Sequence, residues 1–193
     1  IVLIAVGAAF MSGLDLFVVN VAFDQIGVSL GVGTDGGPTI ADMSWILNIY
    51  AVVYAALLVP LGRIADRYGR KTVFVGGLAL FVAASAACAL SGNVWMLVLF
   101  RGLQAAGAAA MTPTSLSILM AALPPEKRIG GVRMWSATGA AAAALGPTIG
   151  GFLTGISWHW VFLINLPIGV VLLWLAVRHV RDTEHDEDAK TPD

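Results

Sequence analysis

Eleven Lys or Arg and twelve Asp or Glu are spread over 193 residues, yet only Asp15 and Arg101 fall inside six long apolar runs. The runs are 1–23, 44–61, 72–92, 95–118, 134–157 and 160–177. A helix needs about 20 residues, within a range of roughly 17–25, to cross the hydrocarbon core of a bilayer. An open strand in lipid would leave its N–H and C=O groups unpaired, so each run is read as a transmembrane helix. The fold class is therefore an all-α membrane protein with a six-helix transmembrane bundle over 1–181. An acidic cytoplasmic tail, or a linker, follows over 182–193.

Composition agrees with this reading. Hydrophobic residues make up 58% and charged residues 12% of the chain, and mean hydropathy is +0.84. Soluble domains carry roughly 25% charged residues. Abundant Ala and Gly suit helices that pack backbone to backbone in lipid. A single cysteine, Cys88, excludes an internal disulfide and a cysteine metal site. Asp15 inside the first run and the missing cleavage site argue against a signal peptide, so Ile1 reads as a truncated start.

The connections alternate in charge. The first, 24–43, holds Asp24, Asp35 and Asp42 but no Lys or Arg; the third and fifth also lack them. The second carries Arg63, Arg67, Arg70 and Lys71, the fourth Lys127, Arg128 and Arg133, and the tail Arg178, Arg181 and Lys190. Ten of the eleven basic residues thus fall on one side. The positive-inside rule puts that side, with the N-terminus and tail, in the cytoplasm of a multi-pass plasma-membrane protein. Trp45, Trp95, Trp158 and Trp160 then lie at outer helix ends, where amphipathic rings favour the interface, and Trp135 near an inner end. Asp42 or Ser44 is expected to cap the second helix, and Pro113 and Pro147 to kink or loosen the fourth and fifth.

Two buried charges stand out. A charge inside a membrane helix costs about 2.5–3.5 kcal/mol on insertion scales, and normally faces a bundle interior or water-filled cavity. Arg101 lies six residues, ~9 Å, from Trp95, and Asp15 eight residues, ~12 Å, from the expected helix end at Phe23. At that similar depth, Asp15, Asn20 and Arg101 are expected to share a polar pocket in the outer half of the bundle. Gln104 follows Arg101 by three residues, on the same helix face. The alternatives are an Arg101 that snorkels outward, and a structural Asp15 that is neutral or bonded to backbone. Gly31, Gly33 and Gly36 satisfy G-x-G-x-x-G, but without a preceding strand they read as an external loop. His159, His179 and His185 have no ligand spacing, and no catalytic constellation is visible, so neither an enzyme nor a metal site is expected.

Several motifs carry a family resemblance. Gly62-Arg-Ile-Ala-Asp66-Arg67-Tyr-Gly69-Arg70-Lys71 resembles the loop between helices two and three of the major facilitator superfamily, G-x-L-A-D-R-x-G-R-[KR], with Ile64 in place of Leu. Arg101-Gly-Leu-Gln104-Ala-Ala-Gly107 resembles its fourth-helix motif R-x-x-Q-G-x-G, departing at Ala105. Leu14-Asp15-Leu-Phe-Val-Val-Asn20-Val-Ala22 is similar to the first-helix motif L-D-x-T-x-V-N-V-A-L-P of the QacA/EmrB-type drug:proton antiporters. There Phe17 replaces Thr, Phe23 replaces Leu and Asp24 replaces Pro. Gly146-Pro147-Thr-Ile-Gly150-Gly151 resembles the antiporter motif G-P-x-x-G-G, with Ala142 where an upstream Gly is usual. The segment 158–169 looks like the W-x-W-x-F-x-I-N-x-P-I-G stretch leading into helix six of the same antiporters.

This resemblance implies the N-terminal bundle of a fourteen-helix antiporter, built of two three-helix inverted repeats. It further implies proton-coupled efflux of drugs or amphipathic metabolites by alternating access. Asp15, Asn20, Arg101 and Gln104 are expected at the proton-coupling site, with Arg101 acting on Asp15 as a neighbouring opposite charge. Gly62, Asp66, Arg67, Gly69, Arg70 and Lys71 form the gating loop, in which Asp66 and Arg70 belong to a cytoplasmic latch. Gly146, Pro147, Gly150 and Gly151 form the antiporter motif. The implied partners are a small-molecule substrate, the lipid bilayer and a missing C-terminal bundle. Protons serve as coupling ion, and neither a cofactor nor nucleic acid is expected. A facilitator of one nutrient or metabolite, or a truncated scaffold that transports nothing, stand as alternatives.

Overall fold

The computed structural model describes residues 1–180. Residues 181–193, which hold Arg181, Lys190 and the expected tail 182–193, lie outside the described residues. Within them the chain forms α1 (Val2–Ser29), α2 (Ile40–Tyr68), α3 (Arg70–Ala89), α4 (Val94–Ala122), α5 (Pro125–Thr154), the single turn α6 (Trp160–Leu163) and α7 (Asn165–His179). By length and composition, α1, α2, α3, α4 and the combined stretch Trp160–His179 can each cross a membrane. α5 falls short on apolarity because its apolar stretch is built of Ala, Gly and Thr around Pro147, with few large side chains.

The helices run beyond the apolar runs, so the connections shrink. α1 continues six residues past Phe23, and the first link reduces to 30–39. That link is a set of glycine turns: Gly31, Gly33 and Gly36 have φ of 71°, 80° and 75°, which side-chain-bearing residues rarely adopt. It ends in a capping box. The Thr39 hydroxyl accepts from the Asp42 N–H at 3.1 Å, and the Asp42 carboxylate accepts from the Thr39 N–H at 2.9 Å. The cap is thus Thr39, with Asp42 reciprocating, whereas Ser44 donates to the Ile40 carbonyl.

The segment 62–71, expected as a loop between two helices, is almost entirely helical. α2 runs to Tyr68 and α3 starts at Arg70, leaving Gly69 alone between them at φ 96°. Lys127, Arg128 and Arg133 likewise sit in α5, since only Leu123 and Pro124 separate it from α4. Helix continues through Pro113 and Pro147.

Two apolar cores occupy the two ends of the bundle. One gathers Leu14, Val18, Ile46, Leu97, Val161 and Phe162; the other Met11, Tyr50, Phe81, Ala105, Met111 and Leu172. Successive helices enter the two cores in opposite order, as a chain crossing back and forth must. Trp158 corrects the interfacial expectation. It is 4% exposed, stacked on His159 at 3.8 Å and edge-on to Phe162, inside the core. Trp45, Trp95 and Trp160 are exposed.

Small residues set the closest helix approaches. Along α1 and α5, Gly13 meets Ala142, Phe17 meets Gly146 and Val21 meets Gly150, one contact per helical turn. A Cβ on Gly146 would stand 2.5 Å from the Phe17 Cβ, closer than two carbons can approach. The parallel spacing shows that α1 and α5 run in the same direction. α3 and α4 approach through Gly77 and Gly107, where added Cβ atoms would strike backbone.

Candidate functional site

Between the two apolar cores lies one polar layer. Asp15 follows Leu14 and precedes Val18 on α1, which places it on the face that enters the core. Arg101 occupies the same level on α4, Ser85 on α3 and Asn165 at the start of α7. Asp15, Arg101, Gln104, Ser85 and Asn165 are each no more than 1% exposed.

The layer is organised about the Asp15 carboxylate. Arg101 Nη1 donates to its Oδ2 at 2.6 Å. Gln104 Nε2 and Asn165 Nδ2 both donate to its Oδ1 at 2.8 Å. All three neighbours are donors, the set that an anionic carboxylate requires once water is removed. Gln104 also accepts from Arg101 Nη1 at 2.7 Å and donates to Ser85 Oγ at 2.8 Å. Arg101 Nε donates to the Ile46 carbonyl at 3.3 Å, and its guanidinium lies 4.2 Å from the centroid of the Tyr50 ring. Isolated buried charges would be prohibitively costly; here the two charges are paired with each other and each carries further hydrogen bonds. Arg101 therefore does not snorkel, and Asp15 is bonded to side chains, not to backbone.

Asn20 does not join this layer. It lies five residues from Asp15, about 140° round the helix at 3.6 residues per turn. Its side chain is exposed and donates back to the Leu16 carbonyl at 2.8 Å. Three residues in or against the layer had no part assigned from the sequence. Asn165 belongs to the 158–169 motif, and an amide in an otherwise apolar helix was its available signal. Ser85 is the hydroxyl in the middle of the apolar run 72–92. Nothing in the local sequence marked Tyr50.

Asn165 reaches Asp15 because the last crossing is broken. α6 stops at Leu163, Ile164 joins the two pieces, and α7 restarts at Asn165 with Pro167 in its first turn. Pro is tolerated there, since the first helical N–H groups have no intrahelical partner. The Asn165 Oδ1 is buried without a hydrogen bond.

Beside the layer, a cavity of about 310 Å³ opens on the face formed by α1, α2, α4 and α5. Its wall includes Ser12, Tyr50, Tyr54, Thr112, Trp135 and Ser136 and carries no formal charge. Tyr50 and Tyr54 stack with centroids 6.2 Å apart and planes 9° off parallel. The Tyr54 hydroxyl donates to Thr112 Oγ1 at 3.1 Å, and Trp135 Nε1 donates to Ser115 Oγ at 3.1 Å. Away from the bundle centre, Arg70 pairs with Asp66 at 3.3 Å across the α2–α3 junction, largely in solvent. Gly62 faces Pro113 at ordinary contact distance, and Arg67 stacks on Tyr68. Gly146 and Gly150 are buried against α1, while Pro147 and Gly151 are exposed.

Comparison with known proteins points the same way. The family model of the Major Facilitator Superfamily matches residues 5–193. The chain is 42% identical over 180 residues to the methylenomycin A resistance protein of Bacillus subtilis (strain 168), covering 92% of this chain and 37% of that protein. It is 37% identical over 179 residues to the fatty acid resistance protein FarB of Neisseria gonorrhoeae, covering 92% and 34%. Against the probable multidrug resistance protein EmrY of Escherichia coli (strain K12) it is 35% identical over 178 residues, covering 92% and 34%. The chain thus spans about a third of the length of these curated relatives. In fold it resembles a bacterial homolog of the human lysosomal transporter Spinster in an inward-facing, unoccupied conformation. That likeness has a TM-score of 0.72 at 22% identity and covers 99% of this chain and 45% of the other. With five helices long and apolar enough to cross a membrane, a buried polar layer and this match over nearly its whole length, the chain is a multi-pass membrane protein that belongs to the major facilitator superfamily.

Proposed function

We propose that this chain forms the N-terminal bundle of a proton-coupled antiporter that exports drugs or amphipathic metabolites by alternating access. The observation that carries this reading is the carboxylate of Asp15, held among three donors at mid-bundle beside a cavity sized for a small molecule. A proton taken up by Asp15 removes the charge that holds Arg101, Gln104 and Asn165 in place, so helices α1, α4 and α7 are coupled to proton binding. No cofactor other than the proton is called for, and the activity is transport without catalysis.

The partner is a second bundle that covers the cavity face. α2 supports this, with only 11% of its most apolar window buried against 56% for α4. Across that interface, Asp66, Arg67, Arg70 and Lys71 at the α2–α3 junction, hinged at Gly69 and backed by Gly62, supply one side of a cytoplasmic latch. Gly146 and Gly150 let α5 move against α1, with Pro147 and Gly151 turned to the second bundle. The basic residues at the α2–α3 and α4–α5 junctions favour an N-terminus and tail on the cytoplasmic side of the plasma membrane.

The test is proton-gradient-dependent dye efflux by the transporter containing this chain. Asp15→Asn, which keeps the side chain's shape, should abolish efflux at an unchanged amount of protein in the membrane. Normal efflux by that variant would refute the role of Asp15. Efflux that persists after the proton gradient is collapsed would favour a uniporting facilitator instead.

A further inference from the structure

The proton site and the cavity do not touch. Asp15, Arg101, Gln104 and Asn165 are absent from the cavity wall and are closed off from it. A molecule in the cavity therefore cannot compete with the proton by contacting Asp15. One side chain belongs to both places: Tyr50, 3% exposed, lines the cavity and holds its ring 4.2 Å from the Arg101 guanidinium.

We infer that Tyr50 is a positioning residue that transmits occupancy of the cavity to the Asp15–Arg101 pair. The inference rests on the reading of Asp15 as the proton site. An aromatic molecule entering the cavity meets the stacked rings of Tyr50 and Tyr54, the one aromatic surface there that leads to a charge. Stacking on that pair draws the Tyr50 ring off Arg101. The guanidinium loses the nearer of its two cation–π contacts, keeping Phe162 at 5.9 Å, and turns more fully to the Asp15 carboxylate, 2.6 Å away. Occupancy thus favours the anionic form of Asp15, and a bound proton leaves. By reciprocity, protonation of Asp15 frees Arg101 to hold the ring and weakens substrate binding by the same factor. The mutual exclusion that antiport demands then follows without any shared binding atom.

The other groups facing Asp15 do not supply this link. Gln104 and Asn165 are neutral amides, Ser85 is a hydroxyl, and Cys88 on α3 reaches the layer only through Gln104, at 3.9 Å. Tyr54, the other titratable group on the cavity wall, is tied to Thr112 and has no contact with Arg101.

The experiment measures ethidium affinity of the purified transporter at pH 6 and pH 8. The parent should bind about tenfold more tightly at pH 8, within the roughly 5–150-fold range of such couplings. Tyr50→Phe keeps the ring and should keep the ratio. Tyr50→Leu, and Tyr50→Met as a second filling of the same space, should bind ethidium with a ratio below about twofold. Asp15→Asn should lose the ratio altogether. If Asp15→Asn keeps it, the proton-site reading fails. If Asp15→Asn loses it while both Tyr50→Leu and Tyr50→Met retain the parental ratio, the role of Tyr50 is overturned and the proton site stands. An absence of ethidium binding to the parent, or loss of binding in both aliphatic variants, also overturns it.

Discussion

Arg101 and Asp15 offer a quantitative test of the buried layer that needs no transport assay. Replacing Arg101 by Met removes the 2.6 Å bond to Asp15, the 2.7 Å bond to Gln104, the 3.3 Å bond to the Ile46 carbonyl and the contact with Tyr50. The carboxylate keeps the Gln104 and Asn165 donors but loses its counter-charge. Breaking one side of a buried ion pair costs about 3–5 kcal/mol. Arg101→Met should fall in that range, and Asp15→Leu should cost a similar amount by stranding the guanidinium. The double variant removes both charges and fills the space with apolar atoms, so its cost should be no more than about 2 kcal/mol. The interaction term of the cycle is then several kcal/mol, well beyond the roughly 0.3–0.5 kcal/mol within which independent sites add. Thermal unfolding in detergent, followed by tryptophan fluorescence, reads this out. At about 2–4 °C per kcal/mol for a domain of this size, each single variant loses roughly 10 °C and the double recovers most of it. A double variant as unstable as the sum of the singles would refute the reasoning, because it would mean the two charges do not stabilise one another.

Two further outcomes follow from packing and from the α2–α3 junction. Gly146→Val drives a side chain into Phe17 and should destabilise by about 1–3 kcal/mol. Gly151→Ala, five residues on and with open space round it, should change stability by no more than about 1 kcal/mol, and the same melting curves separate the two. Asp66→Ala breaks only a solvent-exposed pair, worth under about 1 kcal/mol, so the melting temperature should hold while efflux slows. Undiminished efflux would leave Asp66 no part in a latch.

Part of the site was legible because charge is so costly in a membrane helix. Asp15 and Arg101 declare themselves in the sequence as exceptions within apolar runs, and Gln104 by its spacing from Arg101. Asn20 looked equivalent, as a polar residue near Asp15, yet helical geometry turns it to the opposite face. Asn165 and Ser85 were hard to see because uncharged polar residues are common enough in membrane helices to pass as local backbone partners. Their roles depend on where α3 and the broken α6–α7 crossing lie relative to α1. Helix ends were misplaced for a related reason. Apolarity stops at the lipid boundary, whereas hydrogen bonding carries α1 to Ser29 and α2 to Tyr68.

The sequence alone determines that this chain crosses a membrane several times. That property follows from the transfer energies of single residues and needs no knowledge of neighbours. Tertiary structure decided the rest. It set Gly146 against Phe17, assembled one polar layer from four crossings, and left Tyr50 as the partition between that layer and the cavity. Such pairings depend on how helices pack in three dimensions, where side chains far apart in the chain complete each other's hydrogen bonds. No local property of the sequence encodes them.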